Sequence, residues 1–251
     1  MTRARIPFVS YCFFFFFTLF PLTLYSQKTE NGLWTSLEIK RKLGNGFALS
    51  LEEEYRQIDR LGMTDQFMTG VDLSWKPLDF LKGAVGYTLI NKFDATEMDP
   101  WETRHRFNVS LTGSTEVGRF QLSLREKLQT TRRIGVDADE HKSNPTNVLR
   151  SKFSASYNIK GIPLSPFVST ELFYTLNEPD GDRTVGPVSM FTESRWSAGV
   201  EYKVNKKIAA TVGYLYSDGT DWDSFRVNQI RTGRYENFYE HVISLGLSIS
   251  L

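Results

Sequence analysis

The chain has 251 residues, with 30 lysines and arginines, 29 aspartates and glutamates, and one cysteine. A formal net charge of +1 at pH 7 removes the electrostatic case for binding nucleic acid. A single cysteine excludes a disulfide framework within the chain.

The first 26 residues have the layout of a secretory signal peptide. Arg3 and Arg5 form a basic start, an apolar run extends over residues 6–24, and Ser26 is a small residue before the polar remainder. The run is nearly long enough for a transmembrane helix, which is the alternative. Cleavage after residue 26 removes the cysteine and leaves residues 27–251 as one domain, in which 28 basic residues face 29 acidic ones.

Eleven segments of alternating apolar and polar residues follow. In the first segment, Leu33, Leu37 and Ile39 share one face, whereas Glu38 and Lys40 share the other. Alternation with a period of two, over about ten residues, is typical of a strand that has one face in lipid and one in a polar lumen. The segments are residues 33–40, 47–56, 67–76, 85–89, 104–111, 120–128, 150–157, 168–174, 195–203, 208–216 and 243–250.

Short and long connections alternate between these segments. The short turns are predicted at residues 41–46, 77–81, 113–118, 160–165 and 205–207. The long polar loops are predicted at residues 57–65, 91–100, 132–146, 176–190 and 218–237. Outer-membrane barrels have short periplasmic turns and longer external loops, so the alternation favours that class over a soluble β-sandwich or a lipocalin-like barrel.

Aromatic residues collect near the two ends of the segments. The short-turn ends carry Phe47, Trp75, Phe120, Tyr157 and Tyr202. The long-loop ends carry Tyr55, Phe67, Trp101, Tyr174, Trp196, Tyr216 and Tyr239. Two such bands predict aromatic girdles at the two lipid–water interfaces.

Two features conflict with a simple barrel. Bacterial single-chain barrels have an even number of strands, so we expect a twelfth strand between Ser224 and Thr232, or one segment that is not a strand. Glu53 and Glu126 fall in the apolar phase, where a carboxylate facing lipid is costly. We expect a β-bulge to turn each of them inward. The predicted fold is all-β: a single antiparallel transmembrane barrel of about 10–12 strands.

Several stretches resemble a family of unknown function. They are Leu33-Trp34-Thr35-Ser36, Trp101-Glu-Thr-Arg-His-Arg-Phe107, Phe120-Gln-Leu-Ser-Leu-Arg-Glu126, Asn147-Val-Leu-Arg-Ser-Lys152 and Phe167-Val-Ser-Thr-Glu-Leu-Phe173. Together they resemble the proteins grouped as domain of unknown function 2490, over nearly all of residues 31–251. The resemblance implies a β-barrel in the outer membrane of Gram-negative bacteria, and it supplies no activity and no catalytic residues.

The polar phase of the segments is rich in charge and predicts a charged lumen. Two interpretations are open. The charges form an ion or solute path, with Arg104, Arg106, Arg150 and Lys152 as a cluster that attracts anions. Alternatively, they pair into a network that fills the lumen and holds the barrel rigid. The candidate lumen cluster comprises Arg104, Arg106, Arg150, Lys152, Glu52, Glu54, Arg125, Glu171 and Glu201.

Three functions follow from this pattern. The first is a porin-like channel or binding barrel for small solutes, and the second is a structural or surface-interaction barrel with a closed lumen. The third is a lipid-modifying enzyme at the outer rim, which would use His105 or His241 with a serine. Ser244 lies three residues after His241 and therefore on the opposite face of its strand. The sequence identifies no catalytic constellation, so we expect no enzyme.

The expected partners are outer-membrane lipids, small solutes or an external partner that binds the loops. The acidic loop residues do not match a calcium-binding loop, so we expect no metal and no cofactor. The export signal and the barrel pattern together predict a location in the bacterial outer membrane.

Overall fold

The computed structural model describes residues 29–59, 61–93, 101–135, 143–178, 188–227 and 230–251. The predicted signal peptide, residues 1–26, lies outside the described residues. Within the described ranges, no helix has the length and apolar character needed to cross a membrane.

Eleven β-strands form one closed barrel, which confirms the predicted fold. Each strand pairs antiparallel with the next along the chain, and β1 and β11 close the barrel. The strands are β1 (Thr29–Gly44), β2 (Phe47–Ile58), β3 (Met63–Leu78), β4 (Leu81–Phe93), β5 (Trp101–Val117), β6 (Phe120–Arg133), β7 (Thr146–Tyr157), β8 (Leu164–Glu178), β9 (Val188–Lys203), β10 (Ile208–Val227) and β11 (Ile230–Ser250).

A parallel pair accommodates the odd strand number. β1 and β11 run in the same direction, with Thr29 opposite Tyr239 and Lys40 opposite Ser250. Parallel strands form a regular ladder as antiparallel ones do, so eleven strands close without a free edge. The expectation of a twelfth strand was wrong, and each of the eleven sequence segments is a strand. The stretch from Ser224 to Thr232 includes the end of β10 and the start of β11.

The strands extend further at the long-loop end than the sequence pattern indicated. Most of residues 218–237, predicted as a loop, belongs to β10 and β11, which pair as far as Val227 and Ile230. A strand of 20 residues far exceeds the 9–11 that span a bilayer, so these two strands continue beyond it as a hairpin. Likewise, the predicted loop 57–65 shrinks to residues 59–62 between β2 and β3.

The outer wall of the barrel is apolar and exposed. Phe107 is 59% exposed and Val212 is 57% exposed, although both are large apolar side chains in the middle of strands. Neighbouring rings pack at the predicted short-turn girdle, where Phe47 stacks on Trp75 with their centroids 5.9 Å apart. A belt of this extent is the surface that a barrel presents to lipid. The predicted phase of the strands is therefore correct.

Glu53 and Glu126 also lie on this outer wall. The strand register continues without a shift past Glu53, which is opposite Thr69, and past Glu126, which is opposite Ser151. The expected β-bulges are therefore absent at both positions. Instead, each carboxylate accepts a hydrogen bond from its cross-strand neighbour, at 2.9 Å from Thr69 Oγ1 and 2.6 Å from Ser151 Oγ. A hydroxyl on the neighbouring strand, and not a β-bulge, accommodates the carboxylate at each position.

Replacing Glu126 by leucine is expected to stabilise the barrel in lipid. One serine hydroxyl only partly offsets the cost of a carboxylate on the lipid face, so the free energy of unfolding should rise by about 1–2 kcal/mol. Urea titration of the protein refolded into lipid vesicles measures this change. Glu116→Leu, an exposed change near the end of β5, is the control and should have little effect. Loss of stability in Glu126→Leu would show that the carboxylate binds a partner on the outer wall.

The charged lumen as the candidate functional site

The inward side chains enclose a cavity of about 370 Å³. They come from the alternate positions of the strands, because successive residues of a strand point to opposite faces. Seven cations and four carboxylates line the cavity. These are Arg56, Arg106, Arg125, Lys127, Arg150, Lys152 and Arg195, together with Glu52, Glu54, Asp72 and Glu171.

Glu171 is the centre of the strongest ion-pair network in the lumen. Its Oε1 atom lies 2.9 Å from Nη2 of Arg150 and 3.1 Å from Nη2 of Arg125. Arg150 Nη1 also donates to Gln129 Oε1 at 3.1 Å. Glu171 is 6% exposed, so its charge relies on these two guanidinium groups rather than on bulk water.

Two further pairs hold arginines against aromatic rings. Arg56 pairs with Glu54 while its guanidinium lies 3.7 Å from the ring centroid of Trp34. Arg195 pairs with Glu193 and lies 5.2 Å from the same ring. Planar guanidinium groups stack on aromatic faces, so Trp34 fixes the position of both cations.

Three cations of the cavity have no ion pair among the described residues: Arg106, Lys127 and Lys152. Arg106 donates from Nε to Thr131 Oγ1 at 3.1 Å, which leaves its charge uncompensated. The charges that act most strongly on Arg106 are those of other arginines, with Arg150 first. The cavity lining therefore has more cations than carboxylates, although Glu52 and Asp72 also have no ion pair among the described residues.

The structure brings together seven of the nine residues of the predicted lumen cluster. Arg106, Arg150, Lys152, Glu52, Glu54, Arg125 and Glu171 all line the cavity. Arg104 does not line it; its Nη2 lies 2.7 Å from Glu102 Oε2. Glu201 lies near the short-turn end of β9, 3.8 Å from Lys203, and both side chains are substantially exposed.

An apolar collar of inward side chains was missed by sequence reasoning. It consists of Met68, Ile90, Phe173, Leu215 and Val242. On β3, β4, β8 and β11, the collar residue lies one inward position beyond a cavity-lining residue, toward the long-loop end, and Leu215 on β10 lies opposite Val242. Ile90 is 1% exposed and Val242 is 2% exposed. These residues occupy the same alternate positions of their strands as the charged lumen residues, so the alternation in the sequence could have located them.

The two histidines on the outer wall pair with tyrosines. His105 Nδ1 lies 2.7 Å from the hydroxyl of Tyr87, and His241 Nδ1 lies 2.5 Å from that of Tyr214. Within the described ranges, neither imidazole is hydrogen-bonded to a serine, which a serine–histidine catalytic pair requires. In the same ranges, no group of three histidine, cysteine or acidic side chains is placed to hold a metal ion.

A closed barrel with an apolar outer wall and a polar, charged interior defines the class of outer-membrane β-barrels. Within that class, the chain belongs to the family described as protein of unknown function DUF2490, whose family model matches residues 31–228. The suspected resemblance is thereby confirmed for most of the chain.

The solved structures that are similar to this chain include the following two. A porin, NanC, solved in a rhombohedral crystal form, has a TM-score of 0.50 and 16% identity, and the match covers 88% of this chain and 98% of NanC. The outer-membrane expressed OmpT of Vibrio cholerae has a TM-score of 0.42 and 11% identity, with 82% of this chain and 61% of OmpT covered. The likeness to NanC supports the barrel fold alone. No curated protein matches the sequence.

Proposed function

We propose that the protein is an outer-membrane channel for small anionic solutes. The observation that carries this proposal is a cavity lined by seven cations and four carboxylates, in which three cations, Arg106, Lys127 and Lys152, have no ion pair among the described residues. A lumen with an excess of one sign of charge concentrates the opposite ion and lowers the barrier to its passage. The barrel fold that the chain shares with a solved porin is compatible with this role.

The location and partners form part of the proposal. The exposed apolar belt supports insertion among outer-membrane lipids, and the basic and apolar residues 3–24 support export through a signal peptide that ends at residue 26. The hairpin of β10 and β11 extends beyond the belt and offers a surface to an external partner.

A second candidate function is a structural or surface-interaction barrel with a closed lumen. The burial of two collar residues favours it, because Ile90 is 1% exposed and Val242 is 2% exposed, although both point into the lumen. In the channel proposal, ions pass these apolar side chains only when water wets the lumen at that level. The lipid-modifying enzyme receives no support from the contacts of His105 and His241.

Single-channel recording in a planar bilayer separates these functions. We expect the refolded protein to produce discrete current steps. Ile90→Ser should enlarge them, since it replaces a buried apolar side chain of the collar by a small polar one. Leu89→Ser changes the adjacent, outward-facing residue and should leave the conductance unchanged. If insertion is verified and neither the wild-type protein nor Ile90→Ser produces current steps, the result contradicts the channel and favours the closed barrel.

A further inference from the structure

Two groups of lumen charges, one acidic and one basic, lie on different parts of the wall. Arg56 and Glu54 on β2 form an ion pair outside this grouping, and Lys40 on β1 and Lys82 on β4 also occupy inward positions. The acidic wall consists of Glu38, Glu52 and Asp72 on β1, β2 and β3. The basic wall lies on β5, β6 and β7 and consists of Arg106, Arg125, Lys127, Arg150 and Lys152. One strand, β4, separates the two walls on one side, and strands β8–β11 separate them on the other. Except for Glu38, all of these residues line the same cavity.

Within each wall, like charges are direct cross-strand neighbours. Glu38 lies opposite Glu52, across the β1–β2 ladder. On the basic wall, Arg125 lies opposite Lys152, and Lys127 lies opposite Arg150. Like charges in directly opposite positions destabilise a sheet, whereas opposite charges in those positions stabilise it. A lumen selected only for stability would alternate the signs, so the separation indicates a binding role.

The boundary between the walls contains an unsatisfied polar group. Asn108 on β5 is 7% exposed and lines the cavity, and its Oδ1 atom has no hydrogen-bond partner among the described residues. Beside it, Gly86 leaves space for Asp72: a Cβ atom at Gly86 would lie 1.8 Å from Asp72 Oδ1 and 2.6 Å from Asn108 Nδ2. The missing side chain lets the carboxylate reach across β4 toward the basic wall.

The two walls act on each other across the cavity. Of the charges that act most strongly on Glu52, three are carboxylates and the fourth is Lys127 of the basic wall. Lys127 in turn has Asp72 among the charges that act on it. Their fields therefore add along one direction, from the basic wall to the acidic wall. A solute with a separated negative and positive end gains energy from both walls when it aligns with that direction.

We propose that the cavity selects small dipolar solutes, which place a carboxylate or phosphate on the basic wall and an ammonium group on the acidic wall. The inference rests on the proposed channel for small anionic solutes and narrows these solutes to those that also carry an ammonium group. A volume of about 370 Å³ corresponds to about a dozen water molecules, so it admits a molecule of comparable size. Solutes of a single charge engage one wall and leave the other unsatisfied.

Three probes of nearly equal size test this inference: 4-aminobutyrate, butyrate and butylammonium, which are dipolar, anionic and cationic. Binding to the refolded full chain in detergent micelles is measured by titration calorimetry, which does not depend on conduction. We expect 4-aminobutyrate to bind about tenfold more tightly than either probe of single charge, since it makes one more charge-assisted contact.

Substitutions in each wall test which end of the solute that wall binds. Asp72→Asn and Glu52→Gln should each remove the advantage of 4-aminobutyrate over butyrate, and Lys127→Met should remove its advantage over butylammonium. Asp79→Asn, in the exposed turn between β3 and β4, is the matched control and should leave all three affinities unchanged. The use of two acidic-wall variants guards against the misfolding of one.

Two results overturn the inference. Binding of butyrate as tight as that of 4-aminobutyrate shows a site for anions alone, and it leaves the proposed anion channel intact. Absence of binding by all three probes also overturns it. The proposed channel is then judged separately, by the presence or absence of current steps in the bilayer.

Discussion

Replacing Glu171 by alanine is expected to lower the free energy of unfolding by about 3–5 kcal/mol, the largest stability effect of any single substitution in the lumen. The carboxylate is shared by Arg125 and Arg150, and its removal leaves two guanidinium groups close together without a counter-charge. Glu171→Gln keeps an acceptor oxygen but not the charge, so its effect should lie between those of the wild type and Glu171→Ala.

Urea-induced unfolding from lipid vesicles, followed by tryptophan fluorescence, measures these differences. Glu201→Gln is the matched control, because the same change is made at a substantially exposed carboxylate that lies 3.8 Å from Lys203. An exposed ion pair contributes less than about 1 kcal/mol. If Glu171→Gln and Glu201→Gln reduce stability equally, water screens the Glu171 network and the network does not hold the lumen together.

Reversing two charges of the basic wall is expected to change the ion selectivity of the channel. The variant Arg106→Glu with Lys127→Glu converts a lining of seven cations and four carboxylates into one of five cations and six carboxylates. Neither residue has an ion pair among the described residues, so the reversal breaks no native salt bridge. The ratio of chloride to potassium permeability should fall about tenfold and drop below one.

The control for this variant changes the same total charge outside the cavity. Arg119→Glu with Lys206→Glu alters two exposed residues in the short turns after β5 and β9. Those turns lie away from the lining residues, and salt screens their charges. Equal changes of selectivity in the two variants would mean that net charge, and not the cavity, determines which ions pass.

The strands, and which face of each strand meets lipid, were predictable from the sequence because both follow from the local alternation of apolar and polar residues. One residue in two meets lipid, so Val109 and Leu111 mark the outer face while Asn108 and Ser110 mark the inner one. The extent of the strands was less predictable. Beyond the bilayer both faces of a hairpin meet water, so the alternation ends while the hydrogen-bonded ladder of β10 and β11 continues.

The closing pair and the lipid-facing carboxylates depend on contacts between distant parts of the chain. Alternation along a strand carries no information about which strand lies beside it, so the parallel pairing of β1 with β11 could not be derived from the segments. The partners of Glu53 and Glu126 lie 16 and 25 residues away, and only the register places Thr69 and Ser151 beside them.

The composition of the candidate site was predictable, but its arrangement was not. Parity along each strand placed Arg106, Arg150 and Glu171 in the lumen, where the structure brings them to one cavity. Each charged wall extends over three adjacent strands, so the separation of charges depends on how those strands are aligned with one another, which the sequence does not show. The apolar collar was harder to predict, because hydrophobicity alone does not distinguish an inward apolar residue such as Ile90 from the apolar residues that face lipid.

The reversal potential of the wild-type channel under a potassium chloride gradient is the most direct test of an anion-conducting lumen. The refolded protein is inserted into a planar bilayer of neutral lipid, so that the charges measured are those of the protein. We predict a reversal potential displaced toward the chloride equilibrium potential, because the uncompensated charges of Arg106, Lys127 and Lys152 concentrate anions in the cavity. A displacement toward the potassium equilibrium potential would contradict the proposed function.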